Sequence, residues 1–162
     1  MHKITVLTTC AVLATLATAC SSIECPLNSR VMATWRFGDN GRQLTDTLTI
    51  SSKTTYFGDT VLVNRVCDVD SVQLPMSYGN KQDVYYLDFL NEDKTHTIDT
   101  LTVTKSEKPQ FESVDCGLIM FHYINEVQST HHKIDQVKIN NDYVTYNDER
   151  AHLIITLQEA AQ

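Results

Sequence analysis

Residues 116–127 read Cys-Gly-Leu-Ile-Met-Phe-His-Tyr-Ile-Asn-Glu-Val, the most apolar stretch of the chain beyond its first 20 residues. Two readings compete for it. Leu118, Phe121 and Ile124 recur at helical spacing. Gly117 and the aromatic rings favour a strand, because glycine weakens a helix and aromatics suit a pleated surface. We take the strand, buried on both faces near its middle. With that choice no helical interlude remains in the domain.

On either side the chain reads as short segments rich in Thr, Val, Ile and Tyr, separated by turn residues. Val31 to Phe37 is stopped by Gly38-Asp39-Asn40-Gly41. Leu44 to Ile50 sets Leu44, Asp46, Leu48 and Ile50 against Thr45, Thr47 and Thr49. Thr54 to Asn64 contains a turn at Gly58-Asp59. Ser71 to Leu74 ends at Pro75, and Gly79-Asn80-Lys81 precedes Val84 to Leu90. Asn91 to Lys94 is a hairpin loop before Thr97 to Thr104, where Ile98, Leu101 and Val103 mark a half-buried strand with an irregularity. Pro109 interrupts the chain before the segment that opens at Cys116. Ile134 to Ile139, Tyr143 to Tyr146 and Leu153 to Leu157 complete the set. Eight to ten short strands in one domain predict an all-β fold, an antiparallel β-sandwich of immunoglobulin-like architecture.

The first residues carry a different message. Lys3 supplies a positive start, Ile4 to Ala19 is uncharged, and Ala17-Thr18-Ala19 lies directly before Cys20. Charge, apolar run and small residues follow the order of a secretory signal, and the run is shorter than a membrane span of about 20 residues requires. The pattern resembles a lipobox, with Leu16 one place further from the cysteine than usual. It predicts a signal peptide over residues 1–19, a lipidated Cys20 with a short tether over 20–28, and one domain over 29–162. An ordinary signal peptide leaving a free Cys20 is the alternative. Ser21 after the cysteine, rather than Asp, resembles an outer-membrane address, with the periplasmic and the surface-facing side both open.

Without Lys3 the mature chain has 12 of the 13 basic residues against 20 acidic ones, a net charge of −8. Binding to a nucleic acid backbone needs clustered Lys and Arg, so nucleic acid is not expected as a partner. Of the five cysteines, Cys10 leaves with the signal and Cys20 carries lipid. Cys25, Cys67 and Cys116 remain in a compartment that permits disulfides. They allow one bridge and one spare. Cys25 to Cys116 is preferred, closing a loop worth about 4–5 kcal/mol in the chain-entropy model, with Cys67 buried or free.

Three features carry a family resemblance: Cys25, the Asp99-Thr-Leu-Thr102 run, and Lys108-Pro-Gln-Phe-Glu-Ser-Val-Asp-Cys-Gly117, most specific over Phe111 to Gly117. Together they resemble an uncharacterised lipoprotein family of Bacteroidetes-type bacteria, a domain of unknown function. The resemblance implies an envelope lipoprotein with a β-rich domain, and it supplies no activity.

The chain has no His-Glu-x-x-His, Gly-x-Ser-x-Gly, phosphate loop or dinucleotide fingerprint, so no catalytic residue, cofactor or metal is expected. A cysteine nucleophile would need a histidine close by, and His122 lies six residues past Cys116 on one strand. His131-His132 with His96 could ligate a metal, but reads better as a solvated loop. Asn140-Asn141-Asp142 and Asn147-Asp148-Glu149 offer oxygens to calcium without the spacing of a calcium loop, and Asn-Asp clusters form turns. Trp35 and Tyr56, Tyr78, Tyr85, Tyr86, Tyr123, Tyr143 and Tyr146 could form a glycan platform, although aromatics on strands more often pack in cores. The expected function is a non-enzymatic, membrane-tethered domain that binds an envelope protein or organises the envelope. A glycan- or small-ligand-binding domain comes second and a hydrolase third.

Overall fold

Alternating burial along the strands builds two sheets that enclose one core. The computed structural model describes residues 31–38, 44–54, 58–91, 93–111, 113–114, 116–146, 148 and 150–158. Ten strands lie among them: β1 (Met32–Phe37), β2 (Thr47–Thr54), β3 (Gly58–Val66), β4 (Ser71–Pro75), β5 (Gln82–Leu90), β6 (His96–Gln110), β7 (Ile119–Ser129), β8 (Ile134–Ile139), β9 (Tyr143–Val144) and β10 (Leu153–Leu157). They form a four-stranded sheet in the order β4-β1-β10-β8 and a six-stranded sheet in the order β3-β2-β5-β6-β7-β9. The chain is all-β, as its sequence predicts, and its two packed sheets are those of a β-sandwich. One pairing departs from an antiparallel ladder. β1 runs parallel to β10, with Trp35 beside Leu153. β10 carries Leu153, Ile154 and Ile155 buried in succession, the continuous apolar run of a strand covered on both faces.

The core is built from the inward positions of both sheets. Leu48 and Ile50 of β2, Tyr85, Leu87 and Phe89 of β5, and Leu101 and Val103 of β6 meet Ala33, Trp35 and Phe37 of β1, Leu74 of β4 and Leu153 and Ile155 of β10. Each large apolar side chain removed from water contributes about 1.5–3 kcal/mol. Trp35 meets Tyr85 edge-on at 4.8 Å between ring centroids. The Tyr85 hydroxyl donates to the Pro75 carbonyl at 3.0 Å, tying β5 of one sheet to β4 of the other. Burial first, and then the nearby Asp83 carboxylate, push the Tyr85 phenol well above its ordinary pKa, so it remains a donor.

Four details of the sequence reading are corrected. The 116–127 segment is a strand, but it starts at Ile119, leaving Cys116 in the preceding loop. The Gly58-Asp59 pair opens β3, with Gly58 at φ 73°, and so belongs to a strand. Tyr143 to Tyr146 shrinks to a two-residue strand. Pro109 does not interrupt: β6 runs through it to Gln110, with Pro109 opposite Met120 of β7. The reason is local. β5 pairs with β6 only as far as Thr104, so the later part of β6 has one free side. A proline, which cannot donate to a ladder, is tolerated on such an edge.

Candidate functional site

The alternation of β6 decides where its polar groups go. Asp99, Leu101, Val103 and Lys105 share the inward face and are all buried, while Ile98 is 53 % exposed. The irregularity expected around Ile98 is therefore absent; the inward residue before Leu101 is Asp99. The two charged residues flank the buried apolar pair Leu101 and Val103, one at each end.

At the first end Asp99 meets the β7–β8 loop. Its carboxylate accepts from the N–H groups of His132 (2.9 Å), Lys133 (2.7 Å) and Ile134 (2.8 Å), and from the Thr130 hydroxyl (2.7 Å). The His132 imidazole stands 3.2 Å away. Burial works against the ionised form, yet these hydrogen bonds more than offset it and hold the Asp99 carboxyl below the usual range.

The other end is richer. β6 enters it through a bulge at Thr104/Lys105 against β7, a device that re-aims a side chain. The fully buried Lys105 ammonium donates to the carbonyls of Ser77 (2.6 Å) and Asn80 (2.7 Å) and faces the carboxylates of Glu107 at 3.6 Å and Asp83 at 3.9 Å. Asp83 accepts from the Ser77 N–H at 3.2 Å and from its hydroxyl, and Glu107 accepts from the Gly79 N–H at 2.5 Å. Gly79 adopts φ 79°, a conformation glycine reaches without a steric penalty. The β4–β5 loop is thereby fastened to β6. Beside it His122 of β7 is fully buried, with no hydrogen-bond partner at either ring nitrogen. The exposed Tyr78 ring stacks on it at 6.1 Å. Burial, and secondly the Lys105 ammonium, push the His122 imidazole down to about 4, so it is neutral at pH 7.

Past Lys105, β6 and β7 continue as a paired arm whose Ile119, Phe121 and Ile124 remain buried in the core. Tyr123 of β7 stacks on Tyr143 of β9 at 4.6 Å, and the Lys108 ammonium lies over both rings, 5.9 and 5.2 Å from their centroids. Phe121 packs against Tyr143 and Tyr146. Beyond these rings the tip exposes Phe111 (61 %), Val114 (86 %) and Leu118 (60 %) around a buried Cys116.

The structure disperses several of the sequence candidates. His96 pairs with Asp88 at 2.8 Å, whereas His131 faces the Ile134 carbonyl at 3.2 Å. No group of three or more His, Cys, Asp or Glu side chains is placed to hold a metal ion among the described residues. Asp148 binds Arg150 and Asn141 within a turn. The Arg150 guanidinium holds its carboxyl down at about 2, against the opposing effect of burial. Cys67 is a free, exposed thiol, so it is not buried. Cys20 and Cys25 lie outside the described residues, and with them the expected lipid site and one end of the expected Cys25–Cys116 bridge. Tyr85 belongs to the core, and Tyr56 lies outside the described residues.

Residues 47–157 match the model of a family of unknown function (DUF6452). The chain belongs to that family. The matched span runs from β2 to the end of β10 and includes both ends of β6 and the whole β6–β7 arm. No curated protein and no solved structure matches the chain. The sequence reading missed the Asp99 and Lys105 braces. The available signal was parity: positions 99, 101, 103 and 105 share one face of a strand, and the two charged members disguise the pattern.

Proposed function

We propose that this chain is a lipid-anchored envelope protein of Bacteroidetes type, held in the outer membrane through Cys20 and acting as a non-enzymatic binding or structural domain. One observation supports the reading above others. The ionised groups inside the sandwich are taken up in bracing loops: Asp99 by four donors from residues 130–134, and Lys105 by two carbonyls and two carboxylates. Groups so fully engaged are poor acids, bases or nucleophiles, because catalysis needs a group able to reach a reacting atom. Residues 1–20 add the signal pattern and its cysteine. A bridge from Cys25 to Cys116 fits the same oxidising compartment, with Cys67 as the spare thiol.

The partner we favour is an envelope protein. Glycan binding ranks second. A sugar platform needs aromatic rings with open faces, whereas Tyr123 and Tyr143 stack on each other beneath Lys108, and Tyr78 stacks on His122.

The test uses the full chain expressed in a Bacteroidetes host. A clickable fatty acid should label the wild type and not Cys20→Ser, and capture from the native envelope should enrich a defined protein partner. Labelling that survives Cys20→Ser would overturn the anchor. Turnover by the purified soluble domain in a broad hydrolase panel would overturn the non-enzymatic reading.

A further inference from the structure

Phe111, Val114 and Leu118 are three large apolar side chains, each more than half exposed, within eight residues of one loop. Scattered exposed hydrophobics are ordinary, but three in the single loop that closes the β6–β7 hairpin mark a contact surface. The topology says what lies next to it. β1 begins beside the end of β4, with Met32 opposite Pro75. The chain then passes into the Ser77–Lys81 loop, which Lys105 and Glu107 fasten to β6. From Lys105, β6 runs on for five further residues to Gln110, about 17 Å at the rise of a strand. The start of β1, the β4–β5 loop and the arm's tip therefore occupy the same end of the sandwich.

The segment from Cys20 to Arg30, 11 residues, can span at most about 40 Å. A lipid on Cys20 thus keeps that end of the domain within reach of the bilayer surface. A bridge from Cys25 to Cys116 would shorten the path to five residues, about 17 Å, and place the anchor beside the tip.

We propose that the tip of the β6–β7 arm seats on the bilayer that holds the anchor, with Phe111, Val114 and Leu118 entering the interfacial layer. The inference rests on the lipid-anchor reading above. The occupant is a lipid surface of zwitterionic character, because the chain is acidic, with 20 Asp and Glu against 13 Lys and Arg, and would be repelled by anionic headgroups. The domain then stands on the membrane at two points, with the opposite end, where Asp99 holds the β7–β8 loop, turned away from it.

The test is made on lipidated full-length protein in phosphatidylcholine vesicles carrying brominated acyl chains. Trp35 is buried in the core and provides a constant background. Tryptophan is introduced singly as Phe111→Trp and Leu118→Trp, and as Val61→Trp on the edge strand β3, which is 56 % exposed. Side chains buried roughly 5–10 Å into the headgroup boundary should be quenched at positions 111 and 118 about threefold more than at 61. Adding phosphatidylserine should weaken that difference.

The two readings fail differently. Protein that does not float with the vesicles overturns the anchor, and this inference with it. Protein that floats while all three reporters are quenched alike overturns the seat and leaves the anchor standing. Concentration-dependent burial of Phe111→Trp without vesicles, together with a dimeric mass, overturns it in favour of a second copy of the chain.

Discussion

The two ends of β6 solve one problem in opposite ways. At each, a charged residue takes the inward position next to the buried pair Leu101 and Val103, and at each it fastens a loop. Asp99 is met by three consecutive backbone N–H groups and one hydroxyl. Lys105 is met by two carbonyls and by two carboxylates that themselves bind the same loop. The first brace is a single ion in a fixed cage of backbone dipoles. The second joins two backbone carbonyls with two side-chain carboxylates around one ammonium. The difference is that three of the four donors to Asp99 are backbone N–H groups with no rotamers to rearrange, whereas half the groups facing Lys105 are side chains.

That contrast can be broken by experiment. Asp99→Ala strands three N–H groups and should cost about 3 kcal/mol, read by urea denaturation. The Asp99 carboxyl has its pKa lowered by folding, so its stabilisation is present above the ordinary carboxylate pKa of about 4 and is lost as the pH falls through the lower folded value. The acid limb of the stability profile should shrink in the Asp99→Asn variant. Lys105→Met retains the apolar stem and removes the ammonium. It should cost about 2 kcal/mol, and hydrogen exchange should accelerate over residues 77–81 before anywhere else. A larger loss for Lys105→Met than for Asp99→Ala would reverse the ranking and defeat the backbone argument.

A fourth variant sharpens the Lys105 end. His122 has a folded pKa of about 4 against an ordinary 6.5. Between those values the unfolded chain binds a proton that the folded chain refuses, so stability falls as the pH drops from about 6.5 to 4. His122→Leu should remove that slope, about 1.4 kcal/mol per pH unit at its steepest. Because neither ring nitrogen has a partner, the variant should be close to neutral at pH 7. A strong loss at neutral pH would mean that the imidazole is needed there. The smallest effect belongs to Ile98→Thr, on the outward face of β6, which should stay within about 0.5 kcal/mol of wild type.

The strands with simple patterns were legible. β1, β4, β8 and β10 fall within a residue or so of where alternation and turn residues place them. β6 was not, and for a physical reason. A period of two shows in a sequence only while inward residues are apolar, and Asp99 and Lys105 hold inward positions by virtue of loops that no local pattern reveals. Pro109 misled for a related reason, since whether a strand has a free side depends on how far its neighbour reaches. Of the site, His122 was noted only for its distance from Cys116, and its contact with Tyr78 joins segments 44 residues apart in sequence. Phe111, Val114 and Leu118 could not be singled out, because apolar character by itself does not tell inside from outside.

The parallel contact between β1 and β10 has a consequence for how the molecule is made. β1 lies between β4 and β10, and its partner in the latter comes from the other extreme of the described chain, Trp35 against Leu153. The four-stranded sheet therefore cannot close until residues near 155 have emerged from whatever machinery delivers them. Contacts of such long sequence separation slow folding into the millisecond-to-second range typical of sandwiches. A chain delayed in this way stays open until its last strand is available, as the export proposed above would require.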